Sequence, residues 1–253
     1  MVCVTVVACA RRHWPLPAAR IENAQPSTQR GDSMSTPALR IFLVRHGEAT
    51  ANVEMRYLGH RDDPLSEHGA DQAAQLRHAL ASFPISAIIT SPLRRAADTA
   101  ASIAQAHQVP VQTDERLREG GFGEWEGLSR AEVLARSRRD QLLLADWEGD
   151  PSAAPPGGES MEVVQARSLA VVQAAAAVYA GQWIVLVSHV GPIKALLCAA
   201  MQVPLGTARR LFLDPASISV VDWGDQPVVR LFNAHGHLGW EAARWMAPRP
   251  PVG

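Results

Sequence analysis

Arg40-Ile-Phe-Leu-Val-Arg-His-Gly-Glu-Ala-Thr-Ala-Asn52 is an apolar strand that runs straight into an arginine, a histidine and a glycine. Far downstream, Trp183-Ile-Val-Leu-Val-Ser-His189-Val-Gly-Pro192 repeats the pattern, a second apolar run ending on a histidine. In an open α/β sheet the side chains at the carboxyl ends of strands face the ligand crevice, above all at a topological switch point. Two histidines delivered there, one beside Arg45, imply an imidazole nucleophile and cations gathered around an anion. Phosphoryl transfer is the chemistry that fits.

Working outward, strand-like and helix-like segments alternate. Ile41–Val44 is the first strand. A helix follows from Ser66 to about Ala81, with Ala70, Ala73, Ala74 and Leu76 as its inward positions. Ser86–Thr90 is a second strand, after which Ser91-Pro92 supplies an N-cap serine and a proline at the first helical position. The helix that they open runs to about His107 with Leu93, Ala97, Ala100 and Ala104 at helical spacing. Val109–Thr113 is a short strand, and Ser129-Arg-Ala-Glu132 is a capping box. Asp146–Gly158, rich in proline and glycine, reads as a loop. A long helix from about Glu159 to Ala180 leads into the strand at Trp183, and Gly191-Pro192 opens a helix to Met201. Ile218–Val221 and Val228–Leu231 close the sheet. The mostly βαβ order predicts one α/β domain, a three-layer αβα sandwich on a largely parallel sheet.

The bulk properties narrow the function. The chain has 253 residues and a net charge of −1, enough to bury one substantial core and without the basic footprint of a nucleic-acid binder. Cys3, Cys9 and Cys198 are too scattered for a disulfide framework or a metal site, and Cys198 lies in an apolar run that predicts burial. No continuous apolar run approaches the roughly 18 residues of a membrane span, so a cytoplasmic protein without a membrane partner is expected. Residues 1–38 read as a disordered tail or an overlong start, with Met34 a natural beginning. Residues 39–240 form the expected domain and 241–253 a flexible tail. Oligomeric state is not legible.

Candidate site residues sit at the strand ends. A neutral imidazole at His46 is a competent nucleophile toward phosphorus, and Gly47 suits a chain that turns sharply with its backbone close to a ligand. Arg45 and Arg95 offer planar forks for phosphate oxygens, Arg95 from the first turn of a helix where the dipole favours an anion. Arg94, one residue away, points elsewhere. In Leu117-Arg-Glu-Gly-Gly-Phe-Gly-Glu-Trp-Glu-Gly127, Glu119 is a candidate proton donor to the leaving oxygen. By chemistry alone, Glu124 and Glu126 compete for that role.

The ordered motifs make a resemblance specific. Leu43-Val-Arg-His-Gly-Glu48 with Asn52, the Asp63–Ala73 segment, Ser91-Pro-Leu-Arg-Arg-Ala-Ala-Asp-Thr-Ala100, the Leu117–Gly127 segment, Pro156-Gly-Gly-Glu-Ser160 and Val187-Ser-His-Val-Gly-Pro-Ile-Lys194 resemble the histidine phosphatase superfamily, in its phosphoglycerate mutase-like branch. Within it, Ala154–Ser160 and Leu213–Trp223 are similar to α-ribazole phosphatase-like domains of actinobacterial type. The resemblance implies that His46 forms the phosphohistidine. It also implies that Arg45, Arg95, His189 and Asn52 form the phosphate pocket, with Gly47 and Val190 beside it, and that Glu119 is the acid/base. Ala49 and Val190 depart from the family's usual hydroxyl residue and glycine.

The expected reaction is metal-independent hydrolysis of a small phosphorylated metabolite, with no cofactor. His46 attacks phosphorus, Glu119 protonates the leaving oxygen, and Arg45, Arg95 and a protonated His189 stabilise the equatorial oxygens. α-Ribazole 5'-phosphate or a broad range of phosphomonoesters are the expected substrates. Trp125 and Trp147 are candidates to stack on an aromatic base, although burial is their more ordinary fate. The alternatives are mutase-type phosphoryl transfer and a non-catalytic module that binds phosphorylated ligands. The short interval between Glu119 and Glu159 favours hydrolysis, and a pure binder would not need Glu119.

Overall fold

The computed structural model describes residues 38–50 and 55–239. The two expected tails, residue 38 excepted, and Asn52 lie outside the described residues. Six strands form one sheet: β1 (Leu39–Arg45), β2 (Ile85–Thr90), β3 (Val111–Thr113), β4 (Trp183–Ser188), β5 (Ile218–Trp223) and β6 (Val228–Ala234). Their order is β3-β2-β4-β1-β5-β6. β3, β2, β4 and β1 run parallel, while β5 and β6, the closing strands, pair antiparallel.

Each central strand is apolar on both faces because helices cover both. Phe42, Val44, Ile88, Val185 and Val187 meet Leu76 and Leu80 of α1 (Glu67–Leu80) and Ala96, Ala100 and Ile103 of α2 (Arg94–Ala104). The alternate residues Ile41, Leu43, Ile89, Ile184 and Leu186 meet Val171 and Val172 of one helix, α5 (Met161–Val178), and Ile193, Leu196 and Leu197 of another, α6 (Val190–Met201). That period-two partition produces the expected three-layer sandwich.

Between β3 and α5 the chain builds a small cap from α3 (Arg130–Arg136) and α4 (Arg138–Gly149). Its own core is Trp125, Val133 and Leu144, joined by Tyr57, Phe122 and Trp147. The predicted capping box opens α3: Ser129 Oγ accepts from Glu132 N, and the Glu132 carboxylate accepts from Ser129 N.

Four local expectations are corrected. α2 begins at Arg94, capped at Leu93 without a side-chain bond, and Ser91 Oγ accepts from Leu93 N at 3.3 Å while lying 2.8 Å from His189 Nε2. The inward face of α2 is Arg95, Ala96, Thr99, Ala100 and Ile103, with Ala97 and Ala104 half-buried. Ala70 is exposed on the outer side of α1. Asp146–Gly149 is the last turn of α4, and the irregular chain starts only after it.

By length and composition α5 could cross a bilayer, although Glu162, Gln165 and Arg167 interrupt its apolar run. Its buried Val164, Val171, Val172 and Ala175 instead make it a core helix of this sheet. Cys198 is buried as expected.

Candidate active site

Three strand ends form the floor of the site. The parallel register sets Arg45 against Ser188 and Thr90 beside Val187, so the next residues outward, His46, His189 and Ser91, emerge together. Backbone bonds lock the exits: His46 N donates to Ser188 O at 3.1 Å, Ser91 N to Val187 O at 3.0 Å, and Ala216 N to His46 O at 3.0 Å. The His46 and His189 rings lie 4.9 Å apart, tilted by 58°.

His46 Nδ1 is 2.6 Å from the Gly47 carbonyl oxygen. A carbonyl can only accept, so Nδ1 holds the proton and Nε2 keeps the lone pair that a nucleophile needs. Burial first, then Arg95 and Arg45, push the imidazole well below its ordinary 6.5, against the opposing effect of the Gly47 bond. The ring is therefore neutral and ready to attack.

His189 is fully buried, its Nε2 2.8 Å from Ser91 Oγ, and its Nδ1 has no hydrogen-bond partner among the described residues. Burial, Arg95, His46 and Arg45 also push this ring well below 6.5. These surroundings oppose the expected protonation of His189, and a phosphate dianion beside it would pull the other way.

Arg95 is fully buried. Its Nη1 donates to Arg61 O at 2.6 Å and its Nη2 to Gly59 O at 3.0 Å, while Nε has no partner among the described residues. Arg45 donates to Leu213 O at 2.6 Å. Arg94 points outward as expected, 3.6 Å from Asp98.

Geometry separates the three candidate carboxylates. Glu119 Oε1 accepts from Gly191 N at 3.0 Å and from Gly120 N at 2.9 Å. A Cβ on Gly191 would stand 2.5 Å from that oxygen, so glycine is what admits the carboxylate to the start of α6. Glu124 is exposed and paired with Arg136. Glu126 accepts from His60 N and Phe122 N and serves the local turn.

A clamp fixes the Glu119 loop from behind. Arg167 of α5 donates to the carbonyls of Arg116, Arg118 and Glu119 at 2.7, 2.6 and 2.8 Å, and to both Glu159 carboxylate oxygens at 3.0 Å. Glu159 Oε2 also accepts from Gly121 N at 2.9 Å. Burial alone would raise the Glu159 carboxyl, but Arg167, the Gly121 amide and His60 outweigh it and hold it below its usual range. The Gly-Gly-Glu-Ser segment thus has a mechanical task.

Beside Glu119 lies a cavity of about 290 Å³, bordered by Phe122, Trp147, Met161, Val190, Gly191, Lys194 and Arg209 among others. Val190, flagged as a departure, lines it. Trp147 lines it too, whereas Trp125 is fully buried with Nε1 on Asp140 at 3.1 Å. Gly47 is close to backbone rather than to a ligand face: a Cβ there would strike the Gly69 carbonyl.

Sequence reasoning missed Thr99, whose hydroxyl accepts from Gly47 N, and the roles of Ser91 and Arg167. Thr99 carried a signal, since it stands one helical turn after Arg95 on the same face.

Comparison with known proteins bears on this arrangement. The model of the histidine phosphatase superfamily (branch 1) matches residues 41–235. The chain is 36% identical over 225 residues to the bifunctional protein Rv2228c of Mycobacterium tuberculosis, covering 88% of this chain but 61% of that protein. It thus spans about three fifths of the length of the curated relatives it first matches. Among solved structures it is similar to a mycobacterial glucosyl-3-phosphoglycerate phosphatase in complex with VO3, with a TM-score of 0.71 and 32% identity over 78% of this chain and 99% of that one. The α-ribazole phosphatase from Shigella flexneri gives a TM-score of 0.70 and 27% identity, covering 77% and 96% of the two chains.

Proposed function

The chain belongs to the histidine phosphatase superfamily, and from that premise we propose that it is a metal-independent phosphomonoester hydrolase working through a phosphohistidine at His46. The observation that carries this reading is the neutral His46 ring, its Nδ1 proton committed to the Gly47 carbonyl, beside His189, with Arg45 at the end of β1 and Arg95 in the first turn of α2.

In the first step His46 Nε2 attacks phosphorus, the bond from phosphorus to the leaving oxygen breaks, and Glu119 gives that oxygen a proton. In the second, water attacks the phosphohistidine, Glu119 takes the water's proton, and the phosphorus–nitrogen bond breaks to release phosphate. Arg45, Arg95 and His189, with Asn52 as a further contact, hold the equatorial oxygens throughout. The catalytic roles thus fall to His46, Glu119, His189, Arg45 and Arg95, with Val190 as a neighbour of the substrate. Among the described residues no three His, Cys, Asp or Glu side chains cluster to hold a metal.

The substrate is a small phosphorylated metabolite whose leaving group occupies the cavity beside Glu119. α-Ribazole 5'-phosphate and glucosyl-3-phosphoglycerate, substrate types named for structural neighbours, are the first to try.

Phosphate release from p-nitrophenyl phosphate in chelator, by wild type and His46→Ala, tests the proposal. Wild-type turnover should persist, and the substitution should lower it by at least about a thousandfold through loss of the nucleophile. Turnover that vanishes in chelator and returns with a divalent ion would overturn it.

A further inference from the structure

The stretch 213–217, just before β5, grips the exit of β1 from the side. Leu213 O accepts from the Arg45 guanidinium at 2.6 Å, Ser217 O accepts from Arg45 N at 3.1 Å, and Ala216 N donates to His46 O at 3.0 Å. The stretch is buried throughout, yet it belongs to no helix or strand. Ala216 stands at a φ of 54°, a left-handed conformation that alanine keeps only where its surroundings impose it. The question is what gives so irregular a segment a fixed shape.

The end of β6 supplies the answer. Ile218 pairs with Ala234 and Val220 with Leu231, so Phe232 and Asn233 together stand opposite Ser219 alone. Such a bulge re-aims a side chain, and here it turns Asn233 toward the stretch. Its backbone is left-handed at a φ of 48°, a conformation in which asparagine is enriched. Asn233 Oδ1 accepts from Asp214 N at 2.7 Å, and Asn233 Nδ2 donates to Asp214 Oδ2 at 2.9 Å. Asn233 N donates to Ser219 Oγ at 3.1 Å and closes the bulge. Farther along, His237 Nε2 donates to Ala216 O at 3.1 Å. The proposed chemistry gives none of these side chains a task. We propose that Asn233 is a positioning residue of the phosphate pocket. Its paired bonds to Asp214 set the Leu213 carbonyl, and that carbonyl aims the Arg45 guanidinium. The inference rests on the phosphatase reading, in which Arg45 holds phosphate.

The test is a pair of double-mutant cycles read in kcat/KM for p-nitrophenyl phosphate. Asn233→Gly keeps the left-handed backbone accessible and removes both side-chain bonds. In the otherwise wild-type protein it should cost about tenfold or more, as misplacement of a phosphate contact does. In an Arg45→Lys background no guanidinium is left to aim, and the same substitution should cost less than about twofold. In an Arg95→Lys background it should again cost about tenfold, because Arg95 takes its bonds from Gly59 O and Arg61 O on another loop. General weakening of the fold would cost the same in every background. If Asn233→Gly does not fold, Asn233→Ser, whose shorter side chain cannot make both bonds, carries the same cycles. Equal costs in every background, or no cost in the otherwise wild-type protein, overturn the assignment. The His46→Ala control separates the two readings. If turnover is absent or survives that substitution, the phosphatase reading fails and the assignment with it. If turnover depends on His46 but the costs are equal, the assignment alone fails.

Discussion

Arg95 is held by the carbonyls of Gly59 and Arg61 rather than by a carboxylate ion pair. Carbonyl dipoles fix a guanidinium without cancelling its charge, so the charge stays available to an anion, and both neighbouring imidazoles feel it. A pH dependence follows. His46 and His189 titrate below 6.5 when folded, whereas an unfolded chain takes up their protons near that value. Their contribution to stability is therefore complete above about pH 6.5 and is lost as pH falls through the folded values. Urea midpoints should drop between about pH 6.5 and 5, and added phosphate should blunt the drop by favouring protonated His189. A flat profile across that window would contradict neutral rings. At this scale Arg45, His46 and His189 were legible because each sits where an apolar strand stops. Ser91 was not: a serine before proline reads as a cap, and its partner His189 becomes its neighbour only through the pairing of β2 with β4.

The Glu119 loop has almost no regular structure of its own and takes its shape from α5. Arg167 spans three of its carbonyls and the Glu159 carboxylate, which converts the orientation of a helix into the placement of a carboxylate. Arg167→Met keeps the aliphatic stem and removes the clamp. Turnover of an alkyl phosphate, which needs a well-placed acid, should fall by about tenfold or more, while p-nitrophenyl phosphate, whose leaving group needs no proton, should lose far less. Equal losses on both would show a general structural defect instead. The existence of α1, α5 and β4 could be read from the chain. The start of α2 and the end of α4 could not, because packing of Leu93 and Trp147 outweighs the local turn signals there. Arg167 on a helix reads as a solvated charge until the loop that it holds is placed against it.

At the scale of the molecule, one sheet carries a hydrophobic core on each face, and β4 runs through the middle of both. Leu186→Ala, at a fully buried position of that strand, should cost about 2–5 kcal/mol of unfolding free energy, read from the shift in denaturant midpoint at unchanged slope. A loss under about 1 kcal/mol would mean that the centre of the sheet is not closely filled. The βαβ alternation made the sandwich legible. The antiparallel turn of β5 against β1 was not, because a strand's direction in a sheet leaves no mark in its own composition.

The strand order also bears on how activity arises in time. β4 lies between β1 and β2, although both precede it in the chain. As the polypeptide emerges from synthesis or dilutes out of denaturant, the first two strands have no native bond to each other, and a gap one strand wide waits for a segment made much later. His46 can exist on an ordered β1 with nothing beside it; His189 and the bond that orients it arrive together with the strand that fills the gap. Recovery of turnover during refolding should therefore lag behind helix formation and coincide with the last sheet-closing phase, so that the enzyme's own substrate becomes the clock for its slowest long-range contact.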